Sequence, residues 1–353
     1  MLVKSENETY VIAEIGQNHN GDISIAKKLI DQLDRFTYDE HLGNRYHKCN
    51  AIKLTKRDLE EELSKEGMER PYTGTNSFGA TYGEHREFLE LSYEDHVELG
   101  NYIKSKGFEF VQTLCSVKTL KLLDMVEVDQ IKVASRDLTN IPLIEALAKR
   151  PEPVILSTGM ADENDLQTVI DIFNNNNKLN ISILHCISQY PAEYTNLNLN
   201  SIHWLKGKYE NAIGYSDHSL GTHIPVAAVA MGADIIEKHV TLDTSMKGTD
   251  HKGSADMNTF HQMMHDIRSL EFSMGRLDMF RDESVTAAKE KLERSLAFKT
   301  NLYAGQIVQE EHLHMISPGN GYKWKDRSKF IGQRTVDQVS KNTLIEDGLF
   351  YRE

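Results

Sequence analysis

The rhythm of apolar segments along this chain predicts an α/β fold: a (β/α)8, TIM-type barrel followed by a small second domain. Three observations predict it. Eight short, continuous apolar runs recur, with helically spaced stretches after most of them. The runs are brief and bounded by turn residues, as strands buried on both faces of a parallel sheet are. The repeats fill about 270 residues, the usual size of such a barrel. A doubly wound open sheet is the alternative; strand count favours the barrel, and periodicity alone does not settle closure.

The elements follow in order. Residues 10–15 read as the first strand and 25–33 as its helix; 51–54 is the second strand. The third, 108–114, precedes a helically spaced stretch at 120–125. The fourth, 130–134, is followed by a helix over 141–147, and the fifth, 153–156, by one over 166–173. The sixth is 181–185. The seventh, 212–215, leads to a helix over 224–231, and the eighth, 233–237, to one over 260–270. An insertion rich in Gly, Tyr and charge, Lys56 to Ser92, interrupts this rhythm, and a loop of that length is commonly functional. The four asparagines at 174–177 read as a solvated loop. The pattern changes after Gly275. The expected boundaries are a catalytic barrel at 1–275, a charged linker with a helix near 281–293 within 276–294, and a small domain at 295–353. That domain has an apolar set including Ile307, Leu313, Ile331 and Leu344.

Length and composition bound the function. A chain of 353 residues fits one large domain plus one small one. The formal net charge of −13 argues against nucleic acid or an anionic membrane as partner. An anionic substrate must then be held by local cations. Cys49, Cys115 and Cys186 are odd in number and far apart, which speaks against a disulfide framework or a cysteine zinc site. Free thiols, a polar start without a signal-type apolar core, and no run near the roughly 20 residues of a membrane span point to the cytoplasm.

Active sites of such barrels gather at the C-terminal ends of the strands. The residues there are Glu14, Gln17, Asn18, His19 and Asn20 after strand one, Lys53 at strand two and Thr113 at strand three. Lys132, Ser135 and Asp137 follow at strand four, Ser157, Thr158 and Gly159 at strand five, and His185, Ser188 and Tyr190 at strand six. Ser216, Asp217 and His218 close strand seven, and Glu237 and His239 strand eight. Two lysines among hydroxyls together make a phosphate cradle, although any single Ser taken alone is better explained as a helix cap. His218 and His239, on adjacent strands, suit a divalent metal with open positions; spacing alone does not choose between manganese, magnesium and zinc, or exclude a hydrogen-bonded core pair. Glu14 and Asp250 are carboxylates able to hold sugar hydroxyls or move protons.

The segments AEIGQNHNGD, IKLTKR, LSTGM, HCISQYP, GYSDHS and EKHVTLD stand in the order seen in the N-acetylneuraminate (sialic acid) synthase family, which this chain resembles over nearly its whole length. PGNG and IGQRT resemble that family's C-terminal antifreeze-like domain. ERPYT, SFGATYGEH and MKGTDH look most like the animal-type members. The resemblance implies condensation of phosphoenolpyruvate with N-acetylmannosamine or its 6-phosphate, with cleavage of the carbon–oxygen bond of phosphoenolpyruvate. It implies His218 and His239 as ligands of a divalent metal, manganese or else magnesium. Lys53, Thr113, Lys132, Ser135, Ser157, Ser188 and Ser216 would bind phosphoenolpyruvate. Glu14, Asp137, Tyr190 and Asp250 would hold the sugar, and Glu14, Lys53, Lys132 and Asp250 would carry the chemistry. It also implies a domain-swapped homodimer in the cytoplasm.

The chain departs from the family's pattern in two places. Where many members read Gly-Ser-Gly it has Ala134-Ser135-Arg136, and Arg136 either adds a phosphate contact or points away. Bacterial members carry an arginine before PGNG that reaches across the dimer; here Ser317 stands there, and Lys323 or Lys325 are the candidate substitutes. Arg70, Tyr72, Tyr82, His85 and Arg86 of the insertion are the type of groups a second phosphate, on the sugar, would need. Rival readings are a synthase of legionaminic, pseudaminic or eight-carbon acids and, from another class, a non-catalytic carbohydrate- or ice-binding protein.

Overall fold

A computed structural model describes residues 8–35, 38–39, 45–46, 48–275, 277, 279 and 281–351. The chain divides after Gly275 into two compact units. In the first, eight parallel strands pair in chain order and the first closes on the last, through Tyr10–Ile235 to Glu14–His239. The strands are β1 (Tyr10–Gly16), β2 (Ala51–Lys56), β3 (Glu109–Leu114), β4 (Gln130–Val133), β5 (Val154–Ser157), β6 (Ile181–Cys186), β7 (Ala212–Asp217) and β8 (Ile235–Thr241). Closure settles the choice that the sequence left open, in favour of the barrel.

Alternation along each strand divides the apolar residues into two cores. Ile12, Ala51, Val111, Ile155, Leu184 and Ile235 fill the barrel. Their neighbours Val11, Ile52, Phe110, Ile183 and Ile236 pack outward against the helices. Gly214 points inward on β7, and a Cβ there would lie 2.4 Å from the Ile235 carbonyl oxygen, so the strands approach only because it has none.

The helices are α1 (Ile23–Leu33), α2 (Tyr82–Leu89), α3 (Tyr93–Ser105), α4 (Ile141–Ala148), α5 (Glu163–Asn175), α6 (Asn200–Lys208), α7 (His223–Ala230) and α8 (Met257–Ser273). Three begin in reciprocal capping pairs, Thr81 with Glu84, Ser92 with Asp95 and Asp162 with Asp165. The expected helix near 120–125 is instead a 3-10 helix, Lys118–Asp124, and α6 and α3 were not anticipated. The insertion after β2 is built: two single helical turns (Leu59–Glu62, Lys65–Glu69), then α2. No helix among the described residues is long and apolar enough to cross a membrane.

In the second unit, β9 (Ser295–Phe298) pairs antiparallel with β10 (Leu313–Ile316). Its core is Leu296, Phe298, Leu302, Val308, Leu313, Phe330, Val339, Ile345 and Phe350. Of the apolar residues named from the sequence only Leu313 is fully buried; Ile307 is 40% exposed, because the three phenylalanines occupy the centre. The helix expected near 281–293 is shorter, α9 (Thr286–Leu292), and the segment after it is bound into this unit. Gly319 N–H donates to the Glu290 carbonyl at 2.7 Å, and the Lys323 ammonium holds Glu293 at 2.9 Å. Lys323 is thus tied to its own unit by Glu293 and by the Gly319 and Arg294 carbonyls.

Between β7 and β8, outside the barrel, Lys238 Nζ lies 2.5 Å from Asp217 Oδ2, both side chains essentially inaccessible, and the ammonium also reaches the Ser219 carbonyl. Removing one member strands a buried charge, which costs about 3–5 kcal/mol. Lys238→Met should lose that amount in urea denaturation, and adding Asp217→Leu should restore most of it. An unchanged midpoint for Lys238→Met would count against this pairing.

Candidate active site

Each of the eight strands contributes one inward residue to a single ring at the C-terminal end of the barrel: Glu14, Lys53, Thr113, Lys132, Ser157, Cys186, Ser216 and Glu237. All eight line one cavity. Tyr10, Glu109 and Gln130 are bonded together within the barrel toward its N-terminal end, with Gln130 donating to the Tyr10 hydroxyl at 2.8 Å. The apolar filling lies between these two polar layers and closes the upper ring off from below.

Four members of the ring are charged and interlocked. Lys53 Nζ lies 2.6 Å from Glu14 Oε2 and 3.6 Å from Glu237 Oε1, and Lys132 Nζ lies 3.6 Å from the same Glu237 oxygen. Lys53 donates to the Thr113 hydroxyl at 3.1 Å, Lys132 to Ser157 at 2.5 Å, and Ser216 to Glu237 at 3.0 Å. The two carboxylates do not share the cations equally. Burial opposes ionisation of Glu237, but the two ammoniums hold it down to about 2. Burial pushes Glu14 up to about 7 against the pull of Lys53, with the Glu237 charge adding to the rise. Burial likewise lowers Lys132.

Above the ring, His218 and His239 face one another with ring centroids 5.5 Å apart, and Tyr190 lies 4.0 Å from His218. His218 Nδ1 donates to the Ile187 carbonyl at 2.8 Å, leaving the Nε2 lone pair available. Burial pushes His239 down to about 3, and its buried Nδ1 has no hydrogen-bond partner. A neutral imidazole with an orphaned nitrogen, facing another that is oriented from behind, fits a divalent cation. Among the described residues no group of three or more His, Cys, Asp or Glu is arranged to hold a metal, so a cation here would need oxygen atoms of substrate or water.

On the β4–β6 side the loops form a narrow cradle. Gly159 N–H donates to Ser135 Oγ at 3.0 Å, and a Cβ on Gly159 would lie 2.6 Å from Ser188 Oγ and 2.9 Å from Ser135 Oγ. With Lys132 beside them, these groups suit a tetrahedral anion. Asp250, beside Thr249, lines the same cavity.

The structure therefore gathers Glu14, Lys53, Thr113, Lys132, Ser135, Ser157, Ser188, Tyr190, Ser216, His218, His239 and Asp250 around one cavity. Asp137 is the exception. It lines an adjoining recess with Arg57, Glu62 and Cys115, 3.4 Å from Arg136 Nε, and burial pushes its carboxyl up to about 6. Arg136 does line the cavity. His185 and Asp217 point outward: His185 Nε2 donates to the Leu197 carbonyl and Asp217 pairs with Lys238. Strand parity separates them from Ser216 and Cys186. Glu237, named with His239 at the end of strand eight but given no role there, also lines the cavity, as its parity with His239 requires. Arg57, directly after β2, went unnoticed inside IKLTKR.

A sequence-family model, the NeuB family, matches residues 44–278. The chain belongs to the NeuB family. It is 36% identical over 343 residues to an uncharacterised protein of Methanocaldococcus jannaschii, covering 97% of this chain and 93% of that protein. It is 31% identical to the N-acetylneuraminate-9-phosphate synthase of Homo sapiens, covering 98% and 94%. A solved N-acetylneuraminic acid synthetase from Leptospira borgpetersenii superposes with a TM-score of 0.67 at 32% identity, over 80% of this chain and 90% of that one. Relatives named as legionaminic and pseudaminic acid synthases match at 30% and 27%. As a NeuB-family enzyme the chain is a sugar-acid synthase, and the non-catalytic reading falls.

One consequence is direct. Gly159→Ala should weaken binding of inorganic phosphate by at least about tenfold, the loss of one charge-assisted hydrogen bond, with the circular dichroism spectrum unchanged. Wild-type affinity by calorimetry would remove the cradle from this position.

Proposed function

We propose that this NeuB-family enzyme condenses phosphoenolpyruvate with an open-chain N-acylamino sugar of the N-acetylmannosamine type, giving a nine-carbon acid sugar and inorganic phosphate. The observation that carries the reading is the ring itself. Two buried ammoniums and a run of hydroxyls converge beside two imidazoles, on a protein whose net charge is −13.

In this reading Lys53, Lys132, Thr113, Ser135, Ser157, Ser188 and Ser216 hold the phosphate and carboxylate of phosphoenolpyruvate, and Tyr190, Asp250 and Glu14 hold the sugar. His218 and His239 would hold a divalent cation, manganese in preference to magnesium, which supplies Lewis-acid polarisation of the aldehyde oxygen. The terminal enol carbon of phosphoenolpyruvate forms a bond to the aldehyde carbon. The aldehyde oxygen takes up a proton and becomes a hydroxyl, while positive charge develops at the enol-ether carbon. Water adds there and gives up a proton. The tetrahedral product then breaks its bond between that carbon and the phosphate-bearing oxygen, and inorganic phosphate leaves with a ketone behind. Glu14, held near neutrality, is placed to give one of these protons and take the other. Lys53 and Lys132 steady the phosphate as its charge grows.

A second reading, a legionaminic or pseudaminic acid precursor as the sugar, uses the same ring and differs only in the loops around the sugar. The Ser317 position, which lacks the bacterial arginine, favours neither. The small domain as an antifreeze-like cover on a partner's barrel in a cytoplasmic, domain-swapped dimer is part of the same proposal.

The test is phosphate release from phosphoenolpyruvate with manganese, offering N-acetylmannosamine and its 6-phosphate separately. Release should require both substrates and stop on chelation. Glu14→Gln should cost about 10²–10⁴ in kcat, the usual contribution of a positioned acid or base. His218→Ala and His239→Ala should abolish metal-dependent turnover while melting temperature holds. Near-wild-type rates in either histidine variant after chelation and metal add-back would refute the metal assignment.

A further inference from the structure

Asn18, His19 and Asn20 follow β1 at the rim of the cavity, yet none of them lines it. Asn18 and His19 are buried. Successive turns fold the segment on itself: Asn18 N–H donates to the Ile15 carbonyl, Asn20 N–H to Gln17 and Asp22 N–H to His19. His19 Nδ1 accepts the Gly21 N–H at 3.0 Å, which fixes the turn from within. The two asparagine side chains are left to act elsewhere, and both reach across the seam where β1 pairs with β8.

On the far side of that seam the chain leaves β8 at Thr241 and returns at Ala255, which pairs with Val240. Asp250 sits on this excursion and lines the cavity, which it shares with the carboxylates of Glu14 and Glu237. The Asp250 carboxylate accepts from the hydroxyl of its neighbour Thr249 at 2.9 Å. Among the described residues no Lys or Arg forms an ion pair with it. A carboxylate so weakly held prefers water to a cavity that already has two others. Its place must therefore be set through its backbone.

That backbone is held on both sides of Asp250 by the β1 segment. Asn18 Nδ2 donates to the Val240 carbonyl and to Ser254 Oγ, each at 2.8 Å. Ser254 Oγ donates in turn to the carbonyl of Asp250 itself, at 2.7 Å. Asn20 Nδ2 donates to the Lys247 carbonyl at 3.0 Å, and its oxygen accepts from His251 Nε2 at 3.2 Å. His251 is fully buried, and its Nδ1 lies 2.7 Å from the Thr241 hydroxyl at the end of β8. Linked bonds of this kind fix a loop more firmly than any one of them alone.

We propose that Asn18, Asn20 and His251 are positioning residues: they clasp the loop after β8 to the segment after β1 and thereby hold the Asp250 carboxylate in the cavity for the sugar. This rests on the role of Asp250 in the condensation proposed above.

Asn20→Gly is the first test, because Asn20 has φ 50°, which glycine adopts freely, so the amide is removed without backbone strain. The KM for the amino sugar, N-acetylmannosamine or its 6-phosphate, should rise at least about tenfold, the loss of one hydrogen bond to a charged group, while the KM for phosphoenolpyruvate holds. Asn18→Ala should do the same. His251→Gln, whose amide can still donate to Asn20, should lose less than His251→Ala. Asp250→Ala should weaken the sugar by itself, and adding Asn20→Gly to it should cost nothing more. Additive losses overturn the proposal, since the clasp would then act on something other than Asp250. So does a wild-type sugar KM in Asn20→Gly, or a phosphoenolpyruvate KM that rises in parallel. Calorimetry of both sugars on the manganese-loaded enzyme separates the clasp from the condensation. Sugar binding that the variants weaken, without phosphate release, supports the clasp and sinks the condensation; release with an unmoved sugar KM does the reverse. Wild-type enzyme that neither binds nor turns over either sugar overturns both.

Discussion

Glu14, Lys53, Glu237 and Lys132 are buried together at the top of a packed barrel, and no one of them is tolerable there without the rest. An isolated charge in such a place would neutralise or unfold its surroundings. Two of each sign cancel, and Thr113, Ser157 and Ser216 fill the remaining bonds. The apolar layer beneath, from Ile12 to Ile235, closes the ring off from below. The lone groups left over, among them Glu237 Oε2 and His239 Nδ1, belong to the same cavity lining. Loops and insertion add to this ring but do not create it.

The fold was legible because buried parallel strands have a distinctive signature, and each of the eight was found within a few residues of its observed place. What the strand-end reading lacked was direction. It treated every polar residue near a strand end alike, although alternation sends Ser216 into the cavity and Asp217 to Lys238 behind it. Applied to β8, the same rule brings in Glu237 beside His239. Asp137 falls outside the rule, since it lies past the strand in a short 3-10 turn whose geometry has no period to read.

Other features depended on tertiary packing. Helix α6 carries Trp204 on its exposed face and buries only Ile202 and Leu205, so its apolar pattern is too sparse to announce a helix. In the second unit, three phenylalanines far apart in sequence take the centre and leave Ile307 at the surface. The insertion looked like a long loop because it is polar; its helix α2 is fixed by the Thr81–Glu84 capping pair, a local signal visible in the sequence to a reader seeking helix starts.

The balance of the ring also bears on how it admits an anion. With two ammoniums already matched by two carboxylates, a multiply charged substrate cannot be bound by adding itself to a neutral site. It must draw the lysines away from the carboxylates, leaving these to face each other or take up a proton. Glu14 is the member prepared for this, since burial has brought its carboxyl to about 7 while Glu237 stays ionised between both lysines. Binding of a multiply charged anion would then be accompanied by proton uptake at Glu14. The proton so acquired sits beside the Lys53 ammonium, one strand away from His239. The asymmetry between two carboxylates of the same ring therefore does two things: it lets an acidic protein accept an anion, and, under the condensation proposed above, it leaves Glu14 holding the proton that an acid in that reaction would give.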